Sequence, residues 1–184
     1  FEKAIKIKPD YAEIHNNKGS VQRNIGDLHA ATESYKKAIK FKPDYADAYY
    51  NLGNILKDQG TLDEAIEAYK KALTIMPYFT DAHNNMGVAL TNQGEAEKAI
   101  EVYNTLLAIT PDYAVAYNNM GLALKQKGNL TKAIEAFEKA ISINPEFSDA
   151  FCNMAVALGE QGKPQEAIEA NKKALAIKPD HFAA

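Results

Sequence analysis

Asparagine recurs at one position of this chain every 34 residues. These residues are Asn17, Asn51, Asn85, Asn119 and Asn153. A side-chain amide donates through its NH2 group and accepts through its oxygen, so it can pair with both the N–H and the C=O of an extended peptide. Asparagine is also a mediocre helix former, so its repetition within segments of helical periodicity favours a functional role. The column predicts contacts to a peptide backbone that are indifferent to the side chains of that peptide.

A second column carries carboxylates four residues before the asparagines. Its members are Glu13, Asp47, Asp81 and Asp149, and Val115 interrupts it. Side chains four residues apart share one face of a helix, so the two columns are predicted to form one peptide-binding surface in which the acids tune which ligand side chains are accepted. The alternative is that the asparagines serve packing, through a local hydrogen bond between helices.

The other reactive residues do not form a catalytic set. His15 and His83 stand where other copies of the pattern carry an aromatic residue such as Tyr49, so they are predicted to be packing rings. Cys152 has no histidine partner that would activate a nucleophile. The sequence contains no glycine-rich phosphate loop, no zinc-ligand spacing and no paired catalytic carboxylates. We therefore predict no catalysis, no cofactor and no metal.

The whole chain follows the same period. Six of the seven prolines lie on it: Pro9, Pro43, Pro77, Pro111, Pro145 and Pro179. A fixed period of this size is typical of one structural unit copied end to end. We expect a single array with a partial repeat at 1–11, full repeats at 12–45, 46–79, 80–113, 114–147 and 148–181, and the start of another at 182–184. We interpret this array as a piece of a longer one.

Each repeat is predicted to be a pair of helices. In the repeat 46–79, Tyr49, Leu52 and Leu56 recur at helical spacing, as do Ala65 and Tyr69 in the second half. A glycine separates the halves of every copy, and a proline ends the second half. A further glycine column lies inside the first helices, at Gly19, Gly53, Gly87 and Gly121, with Ala155 in the last copy. Glycine is costly there, so it indicates a contact that tolerates no side chain.

Composition limits the partners and the compartment. The net charge is −3 and the pI is about 5.8, which lacks the basic face typical of nucleic-acid binding. Cys152 is the only cysteine, which fits a reducing compartment and predicts a cytoplasmic protein. No apolar run approaches the length of a membrane span. We expect protein or peptide partners, with neither nucleic acid nor membrane.

These columns resemble the tetratricopeptide repeat (TPR) family over the entire chain. The signature residues of that family are carried in one copy by Tyr49, Leu52, Gly53, Ala65, Tyr69 and Pro77. The resemblance implies an all-α solenoid, in which antiparallel helix pairs stack into a right-handed superhelix. It also implies a concave groove lined by the first helices, whose wall would carry the asparagine and acidic columns.

The asparagine column is similar to the ladder in the TPR region of the O-linked N-acetylglucosamine transferase family. Neighbouring first helices should lie about 10 Å apart, and an extended peptide advances about 3.3 Å per residue. One asparagine per repeat would therefore meet roughly every third peptide residue. A different TPR mechanism, the clamp for chaperone C-termini, is disfavoured because acids precede the asparagines. Arg23, Lys57 and Lys125 share another column that could meet an acidic ligand.

Three functions follow as hypotheses. The first is a protein-interaction scaffold that binds an extended peptide in its groove. The second is a self-assembling platform, with end-to-end stacking into a homo-oligomer. The third is a segment that presents substrates to a catalytic domain elsewhere in a larger enzyme, such as a glycosyltransferase.

Overall fold

The computed structural model describes residues 10–179, a part of the chain that contains ten α-helices and no β-strand. The helices are α1 (Asp10–Asn24), α2 (Leu28–Phe41), α3 (Ala46–Asp58), α4 (Leu62–Ile75), α5 (Thr80–Asn92), α6 (Ala96–Ile109), α7 (Ala114–Gln126), α8 (Leu130–Ile143), α9 (Ser148–Glu160) and α10 (Pro164–Ile177). The all-α fold expected from the sequence is confirmed. Among these helices, none combines the length and the apolar character that crossing a bilayer requires.

A glycine turn joins the two helices of each pair. Gly60, between α3 and α4, has a φ of 80°, in the left-handed region that glycine adopts without steric cost. Its N–H donates to the Lys57 carbonyl at 3.0 Å, and the Thr61 N–H donates to the Leu56 carbonyl at 2.9 Å. These bonds satisfy the last carbonyls of α3 and reverse the chain within three residues. The equivalent glycines also have positive φ: Gly26, Gly94, Gly128 and Gly162.

The contacts divide the chain into two compact units, Phe1–Ala89 and Leu90–Ala184. In the first unit, α1 packs on α2, α2 on α3 and α3 on α4. Tyr35 and Tyr69 are its largest fully buried side chains. A Cβ atom added to Gly19 or to Gly53 would lie 2.7 Å from Cε1 of the ring on the facing helix. The expectation that these mid-helix glycines mark a close contact is thereby confirmed.

In the second unit, α6 packs on α7, α7 on α8, α8 on α9 and α9 on α10. The backbone of Gly121 lies against Phe137, where a Cβ atom would be 2.5 Å from Cε1 of the ring. In the last pair, Ala155 takes the place of the glycine and Asn171 takes the place of the ring. The Cβ of alanine is accommodated there, with Ala155 only 2% exposed, because the large ring that excludes it elsewhere has been replaced.

Candidate peptide-binding surface

The asparagine column lies on the first helix of each pair. Asn17 is on α1, and the others follow in order: Asn51 on α3, Asn85 on α5, Asn119 on α7 and Asn153 on α9. Asn17 is exposed, whereas the other four are half-buried. These four side chains are therefore partly enclosed by the protein and partly exposed to solvent.

In the first unit, Asn51 is bonded to the preceding first helix through its amide nitrogen. Nδ2 of Asn51 donates to Oδ1 of Asn16 at 3.0 Å, and Asn16 is buried. An amide has a second N–H and an oxygen with two lone pairs, so this bond uses only part of its capacity. The bond fixes the direction in which the rest of the Asn51 amide points.

Asn85 is held by a larger network in the same unit. Its Nδ2 donates to Oδ1 of Asn54 at 2.8 Å and to the hydroxyl of Tyr50 at 3.3 Å, and its Oδ1 accepts from Nδ2 of Asn84 at 3.2 Å. The hydroxyl of Tyr69 also donates to Oδ1 of Asn54, at 2.8 Å. Burial raises the pKa of Tyr69 well above its usual value, so this phenol remains a donor. Asn85 therefore retains less capacity for a ligand than Asn51 does.

The second unit repeats the arrangement of Asn51. Nδ2 of Asn153 donates to Oδ1 of Asn118 at 2.9 Å, and Asn118 is buried. Nδ2 of Asn118 in turn lies 3.4 Å from Oδ1 of Asn119. In both units the donor and the acceptor are 35 residues apart, which joins one first helix to the next.

These bonds bear on the two interpretations of the column. The local hydrogen bond between helices, which was the packing alternative, exists at Asn51, Asn85 and Asn153. Packing and binding are compatible, since a bond on one side of an amide orients its other groups. Contact with a peptide stays a prediction.

The residues of the acidic column are exposed to solvent near the start of the first helices. Glu13, Asp47, Asp81 and Asp149 are all exposed. The N-terminal end of a helix carries a partial positive charge, so an acid in the first turn is favourable there without any ligand. Val115, which interrupts the column, is 38% exposed. The column is therefore exposed and acidic in every copy except this one.

The basic column is largely engaged in ion pairs between first helices. Nη2 of Arg23 lies 2.9 Å from the Asp58 carboxylate, and Nζ of Lys125 lies 3.1 Å from that of Glu160. Lys57 is 3.1 Å from Asp58. Burial alone would raise the pKa of Asp58, but the hydrogen bonds and charges of Arg23 and Lys57 outweigh that effect and lower it. These pairs reduce the positive charge available to an acidic ligand.

His15, His83 and Cys152 lie on first helices, and their surroundings are structural. The ring of His15 stacks on Phe41 with centroids 5.4 Å apart, and His83 is buried with Nε2 2.9 Å from the Pro77 carbonyl. Both are packing rings, as predicted. Burial, and then the nearby charge of Asp149, raises the pKa of the Cys152 thiol, which keeps it protonated.

Sequence analysis did not predict the residues that bond to the asparagine column. Asn16, Asn118 and Asn54 supply the acceptors, and Tyr50 supplies a hydroxyl. The signal was the asparagine that directly precedes the column in three copies, at positions 16, 84 and 118. The role of this asparagine depends on hydrogen bonds between residues 35 positions apart on different helices, and periodicity does not reveal such bonds.

Comparison with family models identifies the class of protein. A model described as TPR repeat matches residues 23–60, 53–94 and 89–128, and one described as Tetratricopeptide repeat matches residues 114–147 and 148–181. Together these matches cover most of the chain. The chain belongs to the tetratricopeptide repeat family.

Solved structures agree with this assignment. The crystal structure of MamA is 32% identical with a TM-score of 0.80, and the alignment covers 90% of this chain and 97% of that one. YrrB, described as a TPR protein with an unusual peptide-binding site, is 25% identical with a TM-score of 0.75, covering 98% of this chain and 93% of that one. MamA from Desulfovibrio magneticus RS-1, at 22% identity, 94% and 98% coverage and a TM-score of 0.84, shows the fold alone. None of the curated proteins matches in sequence.

Proposed function

We propose that this chain is a non-catalytic scaffold for protein interactions, which binds an extended peptide segment along the first helices of its helix pairs. Family membership and the described peptide-binding site of YrrB support this function. The observation that carries it is the burial and hydrogen bonding of two amides in the asparagine column. Asn51 and Asn153 are half-buried, each is oriented by a bond to the neighbouring first helix, and that bond uses only one of the two N–H groups of the amide.

In this proposal the asparagines of each unit bond a peptide backbone, those at 17, 51 and 85 in the first unit and those at 119 and 153 in the second, in the manner of the ladder of the O-linked N-acetylglucosamine transferase family. Asn51 and Asn153 contribute most, because each donates one hydrogen bond to a buried asparagine, which keeps its own oxygen oriented. Asn85 acts mainly through the network around Asn54. The exposed acids Asp47, Asp81 and Asp149 favour basic ligands over acidic ones.

The two partners of one hydrogen bond provide a matched test. Asn51→Ala and Asn16→Ala break the same bond and should lower stability by a similar amount, about 1 kcal/mol. Only Asn51→Ala removes the ladder amide itself. A random-peptide display library is selected against the wild-type chain, and the enriched peptides are titrated against both variants. Urea denaturation of each variant supplies the stability comparison.

We expect Asn51→Ala to weaken the enriched peptides about tenfold, as for one lost hydrogen bond at roughly 1.4 kcal/mol, and Asn16→Ala to weaken them much less. Equal weakening by both variants would assign the column to packing. A library from which the wild-type chain enriches nothing would refute peptide binding by this chain.

Self-association is a second candidate, favoured by exposed apolar residues on the helices at the two ends of the described chain. Ile14 on α1 is 58% exposed and Val21 is 61% exposed, although Ala48 and Ile55, 34 residues further on, are fully buried. Ile168 on α10 is 47% exposed, whereas Ile134, 34 residues earlier, is 8% exposed. Sedimentation at increasing concentration tests this candidate. A sedimentation coefficient that stays constant contradicts it.

A further inference from the structure

Half-buried aromatic residues lie just before the first helices, two residues ahead of the acidic column. They are Tyr45, Phe79, Tyr113 and Phe147, and the residues two positions later are Asp47, Asp81, Val115 and Asp149. The face of an aromatic ring attracts a cation electrostatically, and a nearby carboxylate adds a charge-assisted hydrogen bond. This combination suits the side chain of lysine or arginine.

The chain itself places a lysine on one of these rings. Nζ of Lys42 lies 4.7 Å from the centroid of Tyr45, within the range of a cation–π interaction. Burial raises the pKa of the Tyr45 phenol, and the charges of Asp47 and Glu13 raise it further, which places both carboxylates close enough to act on this ring. Lys42 thus occupies a position that combines an aromatic face with negative charge.

The next copy of this arrangement lacks the internal lysine. The residue 34 positions after Lys42 is Met76, which is 43% exposed, so position 76 supplies no cation to Phe79. The ring of Phe79 packs against that of Tyr50, with centroids 4.8 Å apart and planes tilted by 43°. Asp81 is exposed two residues further on, in the first turn of α5. The aromatic surface is larger here than at Tyr45, because two rings contribute.

We propose that Tyr50, Phe79 and Asp81 form a subsite for a lysine or arginine side chain of the bound peptide. This inference rests on the proposed function, since the subsite adds side-chain specificity to contacts that otherwise read only backbone. Asn85 is a positioning residue for it, because its Nδ2 lies 3.3 Å from the Tyr50 hydroxyl. The ladder and the subsite therefore share a hydrogen-bond network in the first unit.

The subsite is tested by giving the protein a competing internal cation. Met76→Lys places an ammonium near Phe79, in the position that Lys42 has relative to Tyr45. Met76→Gln is the matched neutral control at the same exposed position. Asp81→Asn removes the carboxylate. The probes are two fluorescein-labelled peptide libraries that are random except for a fixed central residue, which is lysine in one and glutamine in the other. Fluorescence anisotropy gives an apparent Kd for each library with each variant.

We expect the wild-type chain to bind the lysine library about five- to tenfold more tightly than the glutamine library. This ratio corresponds to the combined binding free energy of an exposed cation–π contact and an exposed ion pair. Met76→Lys and Asp81→Asn should reduce this preference at least threefold, and Met76→Gln should retain it. The affinity for the glutamine library should be similar in all four proteins.

The outcomes separate the two proposals. Equal affinity of the wild-type chain for both libraries overturns the subsite and leaves peptide binding in place. A preference that Met76→Lys and Asp81→Asn both leave intact also overturns the subsite, because the selectivity then arises elsewhere. No saturable binding of either library overturns the proposed function and the subsite together.

Discussion

The contact between Gly121 and Phe137 predicts a substitution whose effect opposes helix propensity. In an isolated helix, Gly121→Ala would stabilise by about 1 kcal/mol. In this fold the new Cβ would lie 2.5 Å from Cε1 and 2.7 Å from Cδ1 of Phe137. That ring is fully buried, so it can move away only by disturbing its neighbours, at a cost of about 3 kcal/mol. We expect a net loss of about 2 kcal/mol, or a Tm lower by about 4–8 °C for a chain of this length.

Urea and thermal denaturation followed by circular dichroism measure this loss. Gly159→Ala is the control, because a Cβ there meets nothing within 4 Å. It should leave stability unchanged or raise it slightly. Phe137→Leu shortens the opposing side chain, so Gly121→Ala should become neutral or stabilising in that background. A Gly121→Ala protein at least as stable as the wild type would refute the packing argument, as would a loss that Phe137→Leu does not relieve.

Two further predictions concern titration and the buried network. Burial, then the charges of Lys37 and Lys18, lowers the pKa of His15 below 6.5, so the unfolded chain takes up this proton first as the pH falls. The contribution of neutral His15 to the free energy of unfolding is complete above about pH 6.5 and declines as the pH falls toward the lowered pKa. His15→Tyr should remove this dependence on pH. An unchanged pH dependence of the urea midpoint in that variant would contradict the assignment. Asn54→Ala leaves the donors of Tyr69 and Asn85 without their acceptor, and should cost about 3 kcal/mol in urea denaturation. Tyr69→Phe should recover part of that loss in the Asn54→Ala background, and full additivity of the two changes would contradict the network.

Most of the fold follows from local rules that the sequence displays directly. Helical spacing of apolar residues places α3 and α4 on either side of Gly60, and the observed φ of 80° at that glycine is the conformation the turn requires. The glycines at 19, 53 and 121 predict a close contact by their type and position alone, and each lies against an aromatic ring of the facing helix. Residue type alone predicts the turn and the close contacts, because backbone geometry and steric exclusion act within one helix pair.

The contact that explains Ala155 needed the tertiary structure. The sequence shows alanine in a glycine column and asparagine in an aromatic column, as two separate exceptions. The other pairs show that these two positions face each other, with a ring against the glycine. The two exceptions are therefore related, because the smaller residue at 171 leaves room for the Cβ of Ala155. This relation depends on the distance between the two helices, which the sequence does not give.

The sequence by itself determined which residues form the candidate site, since the period of 34 selects the asparagine and acidic columns. Only the tertiary structure decided which atoms of those residues are already in use. Nδ2 of Asn51 is bonded to Asn16, and Arg23 is paired with Asp58. Such pairs join helices 35 residues apart in the chain, so they depend on the separation and rotation of whole helices. A hydrophobic period fixes which face of a helix is buried, but it does not fix the orientation of a polar side chain at the edge of that face.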